Sequence, residues 1–307
     1  MRIAFFGLPI AALLLTRDGH DLVWCGLSNP EAVGARRLTR FVGAERVHFV
    51  GGANGAIPRQ LRAARPDLIV SWFWTKKIPA SILCLAPSFG VHPSLLPRHR
   101  GPDPYFWAID SGDELTGVTA HALEDEYDTG GIMAHRQVRL DPSWDAWQLA
   151  RALDRPSLAL LRDVAGAFAE GRPPAARPQD ERLATLAPQP SDEDLSLTWS
   201  WPAGRIARRV RAAAPWPGAW TQIGECLVTL MRVRATHDFP RALAPGEAAV
   251  RGDGVAVVRA ADVALELLSG RTEDDLVLGA HDLAAIVDSA RKLSIAPRAR
   301  LRFDTVD

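Results

Sequence analysis

Short apolar runs alternate with amphipathic stretches through the first half of the chain. Because this alternation is typical of βαβ units, it predicts an α/β fold with a mostly parallel sheet covered by helices on both faces. The predicted strands are Arg2–Phe6, Asp21–Cys25, Leu68–Trp72 and the segment that ends at His92. The predicted helices include Pro58–Ala64, Ile78–Leu85 and a segment of about Asp103–Ser111.

The pattern changes in the next part of the chain. Two segments, Gly117–Leu123 and Ile132–Val138, alternate apolar and polar side chains as strands do. Trp144–Glu170 then shows the spacing of one long amphipathic helix. We expect this helix to close a Rossmann-like first domain at residues 1–171.

A change of composition separates this domain from the rest. Residues 172–196 are rich in proline, alanine and charged residues and poor in large apolar ones, which predicts a linker. Residues 197–307 begin with a basic amphipathic helix at Ala203–Ala213 and continue with strands punctuated by glycine and proline. This spacing predicts a small, OB-like β-barrel as the C-terminal domain. The predicted strands are Trp220–Ile223, Cys226–Leu230, Glu247–Val250, Gly254–Val258 and Ala264–Leu268.

The start of the chain has roughly the charge and length of a secretory signal, with Met1-Arg2 before the apolar run Ile3–Leu15. However, Gly7-Leu8-Pro9 interrupts that run, and no small-residue cleavage pattern follows it. A strand, a glycine turn and a helix that starts at Pro9 explain the segment better. We therefore expect a cytoplasmic protein.

Charge and cysteine content limit the possible partners. Lysine plus arginine and aspartate plus glutamate each total 36, so no net field draws the chain to DNA or to a membrane. We expect neither partner, and we expect a monomer. Three cysteines far apart, with no CxxC or Cys/His cluster, indicate a reducing compartment and no structural metal. Neither a dinucleotide fingerprint nor a P-loop is present, so neither NAD nor ATP is implied.

Two polar clusters are candidates for chemistry. The first, Gly90–Gly101, contains His92 at a predicted strand end, followed by a loop stiffened by two prolines. The second, Glu124–Asp128, holds four carboxylates in five positions and ends at Asp128 before a Thr-Gly-Gly turn. Taken alone, a single histidine is more often structural than catalytic, and such a loop is more often an acidic surface.

Together, these clusters resemble the formyltransferases that use N10-formyltetrahydrofolate. In that family a histidine opens an HPSLLPxxRG-type segment, and an aspartate lies in a DTG-type turn after a TGVT-type strand. The matching segments here are His92–Gly101, Thr116–Thr119 and Asp128–Gly130, in the order and separation that the family shows.

The resemblance covers nearly the whole chain. It continues upstream through Arg65–Val70 and Ile78–Pro79. Downstream, Trp199–Ala203 and Pro215–Trp220 are similar to the C-terminal domain of the methionyl-tRNA formyltransferases within this family.

The resemblance implies N10-formyltetrahydrofolate as donor substrate, no metal, and an amine as formyl acceptor. It implies that His92 stabilises the oxyanion, and that Asp128 orients and charges the histidine or relays the proton that the amine loses. It also implies a crevice for the pterin, because a flat heterocycle favours apolar walls and a few backbone hydrogen bonds. The residues implied for this crevice are Phe73, Trp74, Ile78, Ser94, Leu95, Pro97, Glu124, Glu126 and Tyr127.

The sequence departs from the family pattern at Gly90, two residues before His92, where the family carries an asparagine. That asparagine is thought to donate to the formyl oxygen, and loss of one such donor typically costs about 10²–10³ in rate. Another donor, from His121, Ser94 or a main-chain N–H, could replace it. Alternatively, transfer is slow, or the fold serves another reaction.

Initiator methionyl-tRNA is the favoured acceptor because of the C-terminal resemblance. A second departure weakens this assignment: Ser28–Arg40 is basic but shorter than the loop of the tRNA enzymes, and Ala32–Arg40 could equally be a surface helix. Four arginines of the predicted C-terminal helix could contact RNA phosphates or form an ordinary exposed face. These are Arg205, Arg208, Arg209 and Arg211.

Three alternatives to the tRNA reaction stay open. The chain could formylate a small-molecule amine, such as an amino sugar. It could hydrolyse the same folate to release formate. It could also be a degenerate homologue that binds folate or RNA without turnover, which Gly90 would favour.

Overall fold

A seven-stranded sheet organises the N-terminal part of the protein. The structure, a computed structural model, describes residues 1–50 and 57–293. The strands lie in the order β3-β2-β1-β4-β5-β6-β7, and β1 to β5 run parallel while β6 and β7 pair antiparallel. The predicted α/β fold with a mostly parallel sheet is confirmed. The strands are β1 (Arg2–Gly7), β2 (Asp21–Leu27), β3 (Val47–Phe49), β4 (Leu68–Trp72), β5 (Ser88–His92), β6 (Leu115–Ala122) and β7 (Ile132–Arg139).

Helices connect these strands. The first begins at Pro9, as predicted, because the proline ring fixes φ near its helical value where no N–H is needed. The predicted helix Ile78–Leu85 is shorter than expected, because Pro79 is extended and the helix starts only after it. The helices are α1 (Pro9–Arg17), α2 (Ala35–Val42), α3 (Ile57–Ala64), α4 (Ala80–Leu83), α5 (Pro104–Asp110) and α6 (Ala146–Ala169).

The strand order changes direction between β1 and β4, which creates a crevice at the carboxyl ends of the strands. In open α/β sheets, ligands bind outside these ends at such a switch point. β4 ends at Trp72, whose Nε1 donates to the Ser157 hydroxyl of α6 at 2.6 Å. β5 ends at His92, so the fold delivers this side chain to the edge of the sheet where ligands bind.

The C-terminal part forms an antiparallel, curled half-barrel in the order β10-β11-β12-β9-β8, with β13 also paired to β12. The predicted small barrel-like domain is confirmed. Its strands are β8 (Ala219–Ile223), β9 (Cys226–Thr236), β10 (Ala248–Val250), β11 (Ala256–Arg259), β12 (Ala264–Thr272) and β13 (Val277–Gly279). Its helices are α7 (Asp192–Leu195), α8 (Ala203–Ala213) and α9 (Ala280–Leu293).

The described residues form two compact units. The first comprises Met1–Pro104, Leu115–Arg139 and Ala150–Pro188. The second comprises Tyr105–Glu114, Leu140–Leu149 and the described residues from Gln189 onward. The boundaries of residues 1–171, 172–196 and 197–307 stay a prediction.

The sequence suggested phosphate contacts or plain exposure for the α8 arginines, and both are wrong for Arg209. This side chain is 5% exposed and forms a two-point ion pair with Asp110, with Nε–Oδ1 at 2.6 Å and Nη2–Oδ2 at 2.9 Å. Its Nη1 donates to the carbonyl of Asp194. The Arg209 guanidinium therefore binds groups inside the second unit.

The neighbouring arginines are also engaged within this unit. Arg208 donates from Nε to the carbonyl of Asp110 at 3.3 Å, and Arg211 donates from Nη1 to that of Trp144 at 2.8 Å. Arg205 stays exposed, with its guanidinium 3.7 Å from the centre of the Trp201 ring. The α8 arginines thus make contacts within the second unit, and Arg205 is the exposed member of the four.

No helix in the described part of the chain has both the length and the apolar character needed to cross a membrane.

Candidate active site

His92 leads from β5 into a loop that β6 holds in place. The pairing of the two strands puts His92 opposite Thr119. The Thr119 hydroxyl accepts from the Leu96 N–H at 3.1 Å and donates to the Ser94 carbonyl at 2.7 Å. The Ser94 hydroxyl in turn donates to the Arg98 carbonyl at 2.6 Å. These bonds fix the loop and hence the direction of the His92 ring.

Both ring nitrogens of His92 face acceptors. Nε2 lies 2.8 Å from the carbonyl oxygen of His99, and because a carbonyl only accepts, Nε2 carries the hydrogen. Nδ1 lies 3.5 Å from Oδ2 of Asp128. The imidazole is 7% exposed and the carboxylate 17%, so Asp128 is the more accessible of the two. The structure therefore brings together the two residues expected to carry the chemistry.

A tight turn presents the Asp128 carboxylate. Asp128 has a left-handed backbone with a φ of 57°, which a short polar residue tolerates. Its Oδ2 accepts from the Gly101 N–H at 2.9 Å. Gly130 must be glycine, because a Cβ there would lie 1.9 Å from the carbonyl oxygen of Ala122. The glycine of the Asp-Thr-Gly sequence is thus required for this close approach of the turn to β6.

Gln179 holds this turn, and no motif or periodicity in the sequence indicated it. Its Nε2 donates to the carbonyls of Asp128 and Gly130, both at 2.8 Å. Its Oε1 accepts from the buried Arg100 guanidinium, from Nε at 3.1 Å and Nη2 at 2.8 Å. One side chain from the segment expected to be a linker therefore joins the loop after β5 to the Asp128 turn.

His121 lies on the other side of the same carboxylate. Its Nε2 is 3.5 Å from Oδ1 of Asp128, and its Nδ1 is 2.9 Å from the carbonyl oxygen of Ala122. Burial lowers the pKa of His121 to about 4; the charge of Asp128 opposes this shift and His92 adds to it. The ring is therefore neutral at pH 7, and its one hydrogen lies on Nδ1, facing the carbonyl. Nε2 presents a lone pair towards Asp128.

Gly90 is the cross-strand partner of His121 and is tightly enclosed. A Cβ at this position would lie 3.0 Å from Cδ2 of Leu123, and 3.6 Å from both Nε2 of His121 and Cβ of Ser71. Carbon atoms in comfortable contact lie about 3.5–4.0 Å apart. A side chain at position 90 would therefore have to displace Leu123.

Two side chains considered as replacement donors already have acceptors. The fully buried Ser94 donates its hydroxyl hydrogen to the carbonyl of Arg98, and His121 holds its ring hydrogen towards that of Ala122. Of the three donors considered as replacements for the family asparagine, a main-chain N–H is the one that these hydrogen bonds do not already use.

The residues expected to contact a pterin lie in several places. Glu124, Glu126 and Tyr127 form an exposed loop before the Asp128 turn. Lys77 links this loop to the segment after β4, with Nζ 3.7 Å from Oε1 of Glu126. The structure thus brings the acidic loop beside the aromatic segment that contains Phe73, Trp74 and Ile78.

The remaining three, Ser94, Leu95 and Pro97, belong to the loop after β5. Ser94 is buried within its own loop, whereas Leu95 and Pro97 are half-buried. The role of all these residues in pterin binding stays a prediction.

A small apolar cavity in the first unit is lined by Trp74 and Ile78, together with Phe6, Ile82 and Lys76 among other residues. The Nε1 of Trp74 is buried and has no hydrogen-bond partner among the described residues. Neither Phe73 nor the His92–Asp128 pair is among the described residues that line the cavity.

Within the described ranges, no group of three or more His, Cys, Asp or Glu side chains is arranged to hold a metal ion.

Comparison with known proteins places this chain in a family. Residues 35–164 match the formyl transferase family, and residues 190–287 match the formyl transferase C-terminal domain. A methionyl-tRNA formyltransferase of Anaeromyxobacter dehalogenans is 34% identical over 301 residues, which cover 92% of this chain and 96% of the relative. The protein belongs to the formyl transferase family. The resemblance seen in the sequence motifs is confirmed.

Solved structures show that the formyl transferase fold is shared more widely. HypX from Aquifex aeolicus, in complex with tetrahydrofolic acid, has a TM-score of 0.65 and 20% identity; the match covers 100% of this chain and 51% of HypX. The N-formyltransferase from Helicobacter canadensis, in complex with folinic acid and dTDP-3-aminofucose, has a TM-score of 0.65 and 12% identity, covering 87% of this chain and 98% of that one. At these identities the likeness concerns the fold.

As a formyl transferase, the protein is a one-carbon transferase enzyme that takes its formyl group from N10-formyltetrahydrofolate. The folate is a donor substrate that is used and released.

Proposed function

We propose that this formyl transferase delivers the formyl group to the amino group of initiator methionyl-tRNA. The main support is the identity of 34% to a methionyl-tRNA formyltransferase along 92% of the chain, which includes the C-terminal domain.

An exposed basic surface on α2 also supports an RNA acceptor. Arg36, Arg37 and Arg40 are all exposed, and Phe41 beside them is 65% exposed. Guanidinium groups contact phosphates, and an exposed aromatic ring offers a platform for a base. Because the whole chain has zero formal net charge, RNA binding requires such a local concentration of positive charge.

The reaction moves one formyl group and one proton. The lone pair of the uncharged amine attacks the formyl carbon, and the carbonyl oxygen takes the displaced electron pair. The carbon–N10 bond then breaks as the carbonyl re-forms. The amine nitrogen loses one proton and the folate nitrogen gains one, so the site must accept a proton and return it.

We assign this proton transfer to Asp128 and His92. Asp128 is the more exposed of the pair, so its carboxylate can meet the amine. His92 directs Nδ1 at the same carboxylate from 3.5 Å, and an imidazolium there would stabilise the charge that develops. Gly101 donates to the carboxylate and keeps it oriented.

The acceptor is tested by incubating the full-length protein with N10-formyltetrahydrofolate and separate pools of methionyl-tRNA, an amino sugar nucleotide, or buffer. Release of tetrahydrofolate is followed, with uncharged tRNA as the control that lacks the amine. We expect rapid release of tetrahydrofolate in the methionyl-tRNA pool and in no other pool. Formylmethionyl-tRNA should accumulate in that pool.

Other results would replace this proposal. Release with the amino sugar alone would assign a small-molecule acceptor. Equal release in buffer would assign hydrolysis. No release in any pool would indicate a homologue without turnover.

A further inference from the structure

We propose that Thr185 is a positioning residue of the reaction centre. Together with its neighbours in residues 185–187, it sets the direction of His92 and Asp128 through two peptide groups. The proposal rests on the assignment of the proton transfer to these two side chains. It gives a role in the reaction to a part of the chain whose composition predicted only a linker.

Residues 185–187 pair with the loop after β5 in a parallel β-bridge. Arg100 and Leu186 form this bridge. The Arg100 N–H donates to the Thr185 carbonyl at 2.9 Å, and the Arg100 carbonyl accepts from the Ala187 N–H at 2.6 Å. Both backbone groups of Arg100 are therefore bound to residues 185–187.

The two peptide groups on either side of Arg100 also contact the reacting side chains. The one that contains the Arg100 N–H includes the His99 carbonyl, which accepts from Nε2 of His92 at 2.8 Å. The one that contains the Arg100 carbonyl includes the Gly101 N–H, which donates to Oδ2 of Asp128 at 2.9 Å. Because a peptide group is planar and rigid, an orientation fixed at one end is also fixed at the other.

The same contacts make the outer ends of these peptide groups stronger hydrogen-bond partners. When a peptide N–H donates, its carbonyl oxygen becomes more negative, and when the carbonyl accepts, the N–H becomes more positive. Residues 185–187 therefore strengthen the His99 carbonyl as an acceptor from His92. They strengthen the Gly101 N–H as a donor to Asp128 in the same way.

The Thr185 hydroxyl stabilises an unusual backbone conformation at His99. His99 has a φ of 59°, in the left-handed region that a residue with a Cβ seldom adopts. Its N–H donates to Oγ1 of Thr185 at 2.8 Å. Without this acceptor, the left-handed conformation loses a stabilising contact. A return to negative φ turns the His99 carbonyl away from Nε2 of His92.

Close packing holds residues 185–187 against the loop. Gly101 has a φ of 125°, and a Cβ there would lie 2.7 Å from the carbonyl oxygen of Ala187. Ala187 is fully buried, and its carbonyl accepts from the Asp103 N–H at 3.0 Å. The two backbones thus approach too closely for a side chain at position 101.

Thr185→Val tests the role, because valine keeps the shape of the side chain and lacks the hydroxyl. We expect kcat to fall about 10- to 100-fold with KM for the folate nearly unchanged, since a shift of about 1 Å in a reacting group can cost 10²-fold. Thr185→Ser keeps the hydroxyl and should retain most of the wild-type kcat. The matched control is Thr16→Val, which removes another half-buried hydroxyl, one that donates to the Ala12 carbonyl within α1 at 3.0 Å.

A measurement on the His92 ring separates positioning from a general loss of stability. NMR of protein with nitrogen-labelled imidazoles reports the hydrogen on Nε2 of His92. Its exchange with water should be about fivefold faster in Thr185→Val than in wild type, as expected for the loss of one hydrogen bond of ordinary strength. Exchange in Thr185→Ser and Thr16→Val should match wild type.

Several results would overturn the proposal. One is a wild-type kcat in Thr185→Val, and another is a Thr185→Ser enzyme as slow as Thr185→Val. If Thr185→Val fails to fold, NMR couplings across the hydrogen bonds of the wild-type protein decide. Couplings from the Arg100 N–H to the Thr185 carbonyl, and from the Ala187 N–H to the Arg100 carbonyl, would support the proposal. Their absence would overturn it.

The identity of the acceptor does not affect this test, because kcat is taken from tetrahydrofolate release in whichever acceptor pool supports it. A wild-type protein that is inactive on methionyl-tRNA contradicts the proposed function. A slower Thr185→Val enzyme with another acceptor would still support the positioning role. If no pool supports release, the exchange at His92 and the wild-type couplings decide.

Discussion

The side-chain amide of Gln179 donates to the backbone carbonyl of Asp128 at 2.8 Å. The same amide group donates to the carbonyl of Gly130, so both ends of the turn are held. We expect Gln179→Ala to lower kcat by about 10- to 100-fold, because misplacing a reacting group by about 1 Å can cost 10²-fold. KM for the folate should change little, and steady-state release of tetrahydrofolate measures both constants.

Gln137→Ala is the matched control, since Gln137 is an exposed glutamine of β7. Gln179→Glu adds a second comparison: it keeps an acceptor for Arg100 but loses the amide donors to the turn. It should therefore behave like the alanine variant. Wild-type kcat in Gln179→Glu would show that the amide hydrogens do not position Asp128.

Removal of either member of the His92–Asp128 pair should abolish most turnover. His92→Ala and Asp128→Ala should each lower kcat by about 10²–10⁴-fold, because each takes part in the proton transfer. Circular dichroism should show that both variants stay folded. A variant of either residue with a near-normal rate would remove the assigned chemistry.

The α2 arginines give a test of RNA binding. Changing Arg36, Arg37 and Arg40 together to glutamine should weaken methionyl-tRNA binding and reduce the slope of log K against log salt by about 0.7–0.9 for each phosphate that these arginines neutralise. Filter binding between low and physiological salt measures the slope. The control is a triple variant of arginines that are exposed elsewhere, Arg139, Arg232 and Arg241. An equal reduction in both triple variants would mean that α2 does not bind the tRNA specifically.

Arg209 should affect stability and not the salt dependence of binding. Its side chain is 6% exposed and that of Asp110 is 11%, so Arg209→Met leaves a buried carboxylate without its partner. We expect the free energy of unfolding to fall by about 3–5 kcal/mol, as for other broken buried pairs. Urea unfolding measures the change. Arg205→Gln, at an exposed position on the same helix, should stay within about 0.5 kcal/mol.

The stability of the protein should fall below neutral pH because of His121. Its pKa is about 4 in the folded protein against an ordinary value of 6.5, so the unfolded chain binds more protons between these pH values. The free energy of unfolding is therefore highest above pH 6.5 and decreases as the pH falls towards 4. The decrease due to His121 amounts to about 3 kcal/mol.

Urea unfolding at several pH values measures this slope. His20 and His48 also have pKa values lowered by burial, so wild type and His121→Phe must be compared directly. The variant should lose less stability than wild type between pH 7 and pH 4. Parallel curves for the two proteins would mean that His121 titrates normally in the folded state.

The sequence was sufficient for features that depend on neighbours along the chain. The buried strand that ends at His92 and the proline start of α1 follow from local patterns, and the Asp-Thr-Gly turn follows from a short motif. The short strand β3 escaped prediction, because three residues carry no periodic signal.

Features that depend on distant partners could not be predicted. Gln179 lies 51 positions from Asp128, in a segment whose composition indicated only a linker. Arg209 looked like part of a solvated helix face, and its burial depends on Asp110, 99 positions away. His121 was visible as a polar residue on a buried strand, but its lone pair became apparent only with the Ala122 carbonyl in place.

The close packing around Gly90 also limits how this chain can change over generations. Every replacement at this position adds a Cβ 3.0 Å from Leu123, whichever codon it comes from. In a lineage that carries this arrangement, a smaller side chain at position 123 would make a larger residue at position 90 easier to accommodate. The order in which mutations arise, and not only their chemistry, therefore influences which arrangements of this reaction centre descendants can reach.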